Sequence, residues 1–409
     1  MKKVFKVIAA LCLALTMLAP ATVQAAGPAM TAKSAVVIDA GSGQVLYEKN
    51  AQKARPIASI TKLLTVYLTI KAIKQGKLSW GQKVEAPAAA IANTKNAEFT
   101  NVPLKKGHRY TIRQLYEATM MASANGAAMT LGQAVAGSQH AFVVQMRQQA
   151  KAWGMQGAQF YTACGLSNGD VGSARWASVP AKAENELSAM EVAFIARKLL
   201  KLYPALTETT SRTSAVFNDR GQKTRMTTLN QMLPGQAYYQ SDLPVDGMKT
   251  GTTDGAGQCF VCTTWQGGRR LIAVVLGSDP QKNELARFQD TAALLRYVKS
   301  NYQQVGVAPG KTIGTAKVNR GRKDSVALTA KKSAVYWDRL DGKKLTFKLG
   351  EVKAPVSKGN YLGTTTVASG SNALQKMAGS NGTSAMQVKL YANQDVAKRN
   401  FWDWLKGLF

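Results

Sequence analysis

The hydrophobic patterning of this chain changes character once, near Gly306, and the change divides it into two folding units. Between Ser34 and about Tyr302, strand-like and helix-like periods are mixed. Ala35 to Asp39 and Gln44 to Tyr47 read as the strands of a hairpin around Gly41-Ser42-Gly43. Behind Ser59, the residues Leu63, Leu64, Tyr67, Leu68 and Ile70 recur at helical spacing. Thr111 with Gln114, and Ser188 with Glu191, have the spacing of capping boxes. The first opens a helix running into Met120-Met121, the second a helix from Met190 to Leu200. Lys249 precedes a strand over Gln258 to Thr264, with Arg270 to Leu276 as its buried partner. A mixed unit of about 270 residues is long for an average domain but fits one enzyme unit. Residues 307–390 instead alternate at Val335-Tyr336-Trp337 and Leu345-Thr346-Phe347-Lys348-Leu349. Turn signals stand at Asp341-Gly342, Lys358-Gly359 and Asn381-Gly382. They read as a small all-β domain.

The two ends of the chain carry targeting signals. Lys2, Lys3 and Lys6 precede an apolar run from Val7 to Leu18, and Val23-Gln24-Ala25 closes it. The expectation is a secretory signal peptide over residues 1–25. The run is too short to span a bilayer, and the residues before Cys12 do not make a lipoprotein cleavage site. Cys164, Cys259 and Cys262 remain. Cys259-Phe260-Val261-Cys262 sits in an alternating run that sends positions three apart to opposite faces, so these read as buried apolar residues. At the far end, Phe401, Trp404, Leu405 and Leu408 share one helical face, with Lys398, Arg399, Asp403 and Lys406 toward the other. This predicts an amphipathic helix lying in a membrane interface. The formal net charge is +30, and residues 307–409 hold 18 Lys+Arg against 6 Asp+Glu. Dispersed positive charge on an exported chain suits a polyanionic wall or an acidic membrane surface. Nucleic acid is not expected, since no reading motif is present.

Three short motifs carry chemistry: Ser59-Ile60-Thr61-Lys62, Ser123-Ala124-Asn125 and Lys249-Thr250-Gly251. A serine is a poor nucleophile until a base takes its proton, and only His108 and His140 could serve as histidine bases, neither beside a nucleophile motif. Lys62 falls on the helical face of Ser59 and can act as base if neutral. Burial and a second cation, Lys249, would both lower its pKa. Ser123 and Asn125, two apart, can point into one cleft. Lys249 and Thr250 offer a cation and a hydroxyl to a carboxylate, Gly251 lets a substrate backbone come close, and a strand edge there could take up a peptide.

Arg55 to Lys62 and Val245 to Thr253 closely resemble the low-molecular-weight penicillin-binding proteins, and among them the serine-type D-alanyl-D-alanine carboxypeptidases of the S11 peptidase family. The resemblance continues through Gly43 to Glu48, Leu271 to Gly277, Arg287 to Leu295, Pro355 to Gly359 and the terminal amphipathic helix. It implies an α+β fold of the serine β-lactamase and penicillin-binding-protein kind, an antiparallel sheet with flanking helices, followed by a β-sandwich. The expected boundaries are 30–305 for the catalytic domain, 307–392 for the sandwich and 396–409 for a membrane-anchor helix. The resemblance implies Ser59 as acylated nucleophile, Lys62 as base and Ser123 as proton relay. Asn125, Lys249, Thr250 and Gly251 would bind substrate, with Arg287 near its carboxylate and the backbone amides of Ser59 and Thr252 as oxyanion hole. It implies no metal or cofactor. The expected partners are peptidoglycan stem peptides, β-lactams and an anionic membrane surface, met outside the cytoplasmic membrane. Two departures stand out: Asn125-Gly126 where relatives carry Asn-Asp, and no Asn before Gly165-Leu166. A D,D-endopeptidase is one alternative. A serine β-lactamase, for which Glu184-Asn185-Glu186-Leu187 is a near miss to E-x-x-L-N, is a second, and a non-catalytic wall-binding protein a third.

Overall fold

The computed structural model describes residues 27–340, 347–367, 386–400 and 403. The expected signal peptide and most of the expected terminal helix lie outside these residues, as do the turn signals at 341–342 and 381–382. The first unit is organised by an antiparallel sheet of β1 (Ser34–Asp39), β2 (Val45–Lys49), β3 (Val245–Thr253), β4 (Gly257–Gln266) and β5 (Arg269–Ser278), in the order β2-β1-β5-β4-β3. The first hairpin forms where the sequence placed it, with Ser42 donating to Asp39 through its amide at 2.6 Å and its hydroxyl at 2.9 Å. Lys249 does more than precede a strand. It lies inside β3, the edge strand, opposite Val261.

Both faces of the sheet are covered, which is why β4 and β5 read as almost continuous apolar runs. One face packs on α5 (Ala189–Leu202), behind which α1 (Lys62–Lys74) and α4 (Gln139–Ala152) complete the same core. The other packs on α6 (Ala286–Asn301). Cys259 and Val261 belong to the first core and Phe260 and Cys262 to the second, so the two cysteines do point to opposite faces, buried and free. Between β2 and β3 the chain builds a helical layer with its own core, containing α2 (Ile112–Met121) and α3 (Asn125–Ala136). Both expected capping boxes are present. Thr111 accepts from the Gln114 amide at 3.1 Å and Ser188 from the Glu191 amide at 3.2 Å, satisfying amides that helix starts leave open.

The second unit is all β. A sheet of β7 (Gly314–Lys317), β8 (Ser325–Thr329), β10 (Phe347–Leu349), β11 (Tyr361–Val367) and β12 (Met386–Ala392) runs in the order β7-β8-β12-β11-β10. A pair, β6 (Tyr302–Val307) with β9 (Ala334–Arg339), joins it through Tyr336, Val305 and Val388. The expected boundary near residue 306 therefore falls inside a strand. Moreover, Trp337 of β9 is 2% exposed because it packs into the first unit's core. Its amide donates to Gln44 Oε1 at 2.9 Å and its indole to Asp39 Oδ2 at 2.8 Å, while Gln44 Nε2 donates to its carbonyl at 2.6 Å. Arg269 holds the same Asp39 carboxylate at 2.6 and 2.7 Å. One buried aromatic with every polar group satisfied thus fixes the two units to each other.

Candidate active site

The three motifs meet between the sheet edge and the helical layer. Ser59 stands in a 3-10 turn, Ala58–Thr61, that leads directly into α1, so Lys62 is the first residue of the helix and lies one turn beyond the serine. Ala58 has φ +47°, a left-handed conformation unusual for a residue with a side chain, and the strain sits one residue before the hydroxyl. Ser59 is partly exposed, whereas Lys62, Ser123, Asn125, Lys249 and Thr250 are buried around it. Ser123 also has positive φ (+56°), in the turn between α2 and α3. Thr100 pins that turn, its hydroxyl donating to the Ser123 carbonyl at 3.1 Å and its carbonyl accepting from the Asn125 amide at 3.0 Å.

Lys62 Nζ lies 2.7 Å from each of three acceptors: Ser59 Oγ, Asn125 Oδ1 and the carbonyl oxygen of Cys164. Burial pulls its pKa down to about 8, with Cys164 beside it pulling the other way. Burial, then Lys62, then Arg287 hold Lys249 well below the ordinary lysine range. The sequence suggested the reverse, that Lys249 would depress Lys62. The hydrogen bonds explain the difference. Three acceptors surround the Lys62 ammonium, whereas among the described residues Lys249 donates only to the carbonyl of Thr250, at 3.0 Å. Of two neighbouring buried amines, the better-solvated one keeps the proton.

Gly251 has a role beyond leaving room for a substrate. A Cβ there would lie 2.7 Å from the carbonyl of Ile57 and 3.2 Å from Ala58 Cβ, so the glycine lets β3 press against the turn that carries Ser59. Gly165 does the same from the other side. At φ +85°, a Cβ would fall 2.0 Å from the Ala58 carbonyl, and this approach brings the Cys164 carbonyl to Lys62. Gly126, one of the departures noted in the sequence, has a packing cause: a side chain would meet Thr94 at 2.8 Å and the Ala90 carbonyl at 2.9 Å.

Arg287, on α6, lies behind β3. Its Nη1 donates to the carbonyls of Gly251 (2.9 Å) and Cys259 (3.2 Å), its Nε to Gln258 Oε1 (3.2 Å) and its Nη2 to Thr252 Oγ1 (2.6 Å). Four of its five N–H groups are thus used, two on β3, the strand that carries Lys249 and Thr250, and two on its neighbour β4; Thr252 is the exposed residue in this set. Sequence reasoning missed two contributors. One is the Cys164 carbonyl. The other is Asn185, fully buried, whose Oδ1 accepts from the amides of Tyr161 (2.6 Å) and Thr162 (3.1 Å) and whose Nδ2 donates to Thr61 Oγ1 (3.1 Å) and the Thr162 carbonyl (2.7 Å). It ties the serine turn to the segment carrying Cys164. Glu184, beside it, accepts from Thr253 Oγ1 at 2.6 Å; burial raises its pKa, opposed by that bond.

The arrangement supplies a partly exposed hydroxyl, a buried amine against it, a second buried amine and an edge strand. The D-alanyl-D-alanine carboxypeptidase profile of peptidase S11 matches residues 21–280, and the penicillin-binding protein 5 C-terminal domain profile matches residues 304–398. D-alanyl-D-alanine carboxypeptidase DacC of Escherichia coli is 31% identical over 346 residues, 82% of this chain and 80% of that protein. The crystal structure of PBP3 from Streptococcus pneumoniae superposes with a TM-score of 0.72 at 33% identity, covering 90% of this chain and 99% of that one. Penicillin-binding protein D2 from Listeria monocytogenes, in its cefotaxime-bound form, superposes with a TM-score of 0.54 at 29% identity, over 67% of this chain and 99% of that one. This chain belongs to the D-alanyl-D-alanine carboxypeptidases of peptidase family S11, with a C-terminal domain of the penicillin-binding protein 5 type.

Proposed function

We propose that this protein removes the terminal D-alanine from peptidoglycan stem peptides through an ester on Ser59, and that β-lactams acylate the same serine. The observation that carries the reading is the buried Lys62 amine 2.7 Å from Ser59 Oγ, its pKa lowered to about 8. The substrate's terminal carboxylate binds at Lys249 and Thr250. Its charge favours protonation of Lys249, and the resulting cation pushes the proton off Lys62. Neutral Lys62 then accepts the Ser59 proton as Oγ attacks the carbonyl carbon. The oxyanion is held by the backbone amides of Ser59 and Thr252, as the family resemblance implies. The proton passes through Ser123 to the departing D-alanine amine, and water hydrolyses the ester. Asn125 fixes Lys62 through Oδ1, and Arg287 keeps β3 in place. The engagement of Glu184 with Thr253 speaks against a water-activating role of the β-lactamase kind.

Residues 1–25 serve as an export signal, residues 30–305 as the catalytic domain, 307–392 as the sandwich and 396–409 as an amphipathic anchor in the outer leaflet of the cytoplasmic membrane. The test is release of D-alanine from a diacetyl-lysyl-D-alanyl-D-alanine peptide. The wild type should release it and Ser59→Ala should not. Retained release by the variant would overturn the reading.

A further inference from the structure

Residues 160–164 run between the bridge at Gln159 and the left-handed turn at Gly165, in neither helix nor strand. They are nevertheless interior: Phe160, Thr162, Ala163 and Cys164 are buried. Buried carbonyls without a sheet neighbour need other donors. Here five successive carbonyls each receive a side chain. Arg147 Nε donates to Phe160 (2.8 Å), Trp176 Nε1 to Tyr161 (3.0 Å), Asn185 Nδ2 to Thr162 (2.7 Å), Thr65 Oγ1 to Ala163 (2.6 Å) and Lys62 Nζ to Cys164 (2.7 Å). The last two donors stand three positions apart on α1, so adjacent turns of one helix grip adjacent carbonyls. Thr65 is fully buried, and its hydroxyl departs from what the other helical threonines do. Thr69, Thr119, Thr130 and Thr291 each donate back to the carbonyl four residues earlier in their own helix. Thr65 reaches instead across 98 positions to Ala163.

We propose that Thr65 is a positioning residue for the base: by holding the Ala163 carbonyl it fixes the next peptide group, so that the Cys164 carbonyl stays on Lys62 Nζ. The proposal rests on the reading of Lys62 as base given above. Gly165, pressed against the Ala58 carbonyl, holds the Cys164 peptide from its far side, and Thr65 holds it from the near side. Without the Thr65 hydroxyl the near side is free, and Lys62 loses the hold of one of the three acceptors that favour its ammonium form. The charged and titratable groups facing Lys62 are Lys249 on β3, with Arg287 behind it, and the Cys164 thiol. Burial raises the pKa of that thiol and keeps it neutral. Lys249 donates to Thr250, a contact that Thr65 does not touch, so a titration belonging to Lys249 would stay in place when Thr65 is changed.

The test is the pH profile of the second-order rate of labelling by a fluorescent penicillin, measured for the wild type, Thr65→Val and Thr65→Ser. Valine keeps the shape and deletes the donor, whereas serine keeps the donor. In Thr65→Val the acid limb should move to lower pH by about one unit, because an amine with a weakened acceptor set loses its proton more easily. Its plateau should fall on the order of 10-fold, because the amine is less well aimed at Ser59. Thr65→Ser should keep the limb at the wild-type position. A role confined to stability would lower the melting temperature of Thr65→Val and scale its rate by one factor at every pH, and that result would overturn the proposal. A limb displaced equally in Thr65→Ser would overturn it as well, since the hydroxyl would not be the cause. A Thr65→Val protein without a cooperative melting transition would make the hydroxyl structural, with the same consequence. A wild type with no limb at all would refute Lys62 as base, and the positioning role with it.

Discussion

Lys62 must be neutral to take the Ser59 proton, and its pKa in the free protein is about 8. The sign follows directly. Below that value the amine is protonated and cannot act as a base, so acylation should slow as the pH falls. The neutral fraction is about one half at pH 8, about one tenth at pH 7 and about one hundredth at pH 6, so the acylation constant should fall roughly tenfold per unit below the midpoint. The assay is the second-order rate of covalent labelling by a fluorescent penicillin, since that quantity reports the free enzyme's titration. Asn125→Ala supplies the control that ties the limb to Lys62. It removes one of the three acceptors that favour the ammonium form. A hydrogen bond from a charged donor contributes about 1.5–3 kcal/mol, so the limb should move to lower pH by roughly one to two units, even as the maximal rate drops. A profile flat between pH 6 and 9, or a limb unmoved in Asn125→Ala, would refute the assignment of Lys62 as base.

Lys62→Arg keeps the charge but not the ability to accept a proton, so penicillin labelling should fall by several orders of magnitude while the circular dichroism spectrum is kept. In Gly165→Ala the new Cβ must displace the Ala58 carbonyl, which it would otherwise approach to 2.0 Å. Labelling should drop about 100-fold and thermal denaturation should show a loss of about 1–3 kcal/mol. Amidating the substrate's terminal carboxylate should reduce kcat/KM by roughly 10–100-fold, read from D-alaninamide against D-alanine release, because Lys249 and Thr250 lose their charged ligand. Equal turnover of acid and amide would favour the endopeptidase alternative.

Much of this molecule could be read from the chain because its signals are local. The hairpin around Gly41-Ser42-Gly43, the capping boxes at Thr111 and Ser188, and the opposed Cys259 and Cys262 follow from spacing within a few residues. The motif residues were legible because each motif carries its chemistry in three or four positions. What escaped depends on contacts across long stretches of chain. The Cys164 carbonyl reaches Lys62 from 102 positions away, and Asn185 reaches Thr61 from 124. Neither a backbone carbonyl nor a lone asparagine has a sequence signature. Gly165 gave a glycine to notice but not the neighbour that requires it. The direction of coupling between the two lysines was misjudged for the same reason: it turns on how many acceptors each amine finds. Trp337 read as part of a β-domain alternation, yet its side chain completes the core of the other unit.

The central claim is that Ser59 is the nucleophile. It is tested most directly by mapping the adduct of a labelled penicillin after trypsin digestion, by mass spectrometry. Cleavage does not occur between Arg55 and Pro56, so the serine lies in the peptide spanning residues 54–62. The expected result is one adduct, on that peptide and at Ser59, absent from Ser59→Ala. An adduct on Ser123 or on any other peptide would contradict the account.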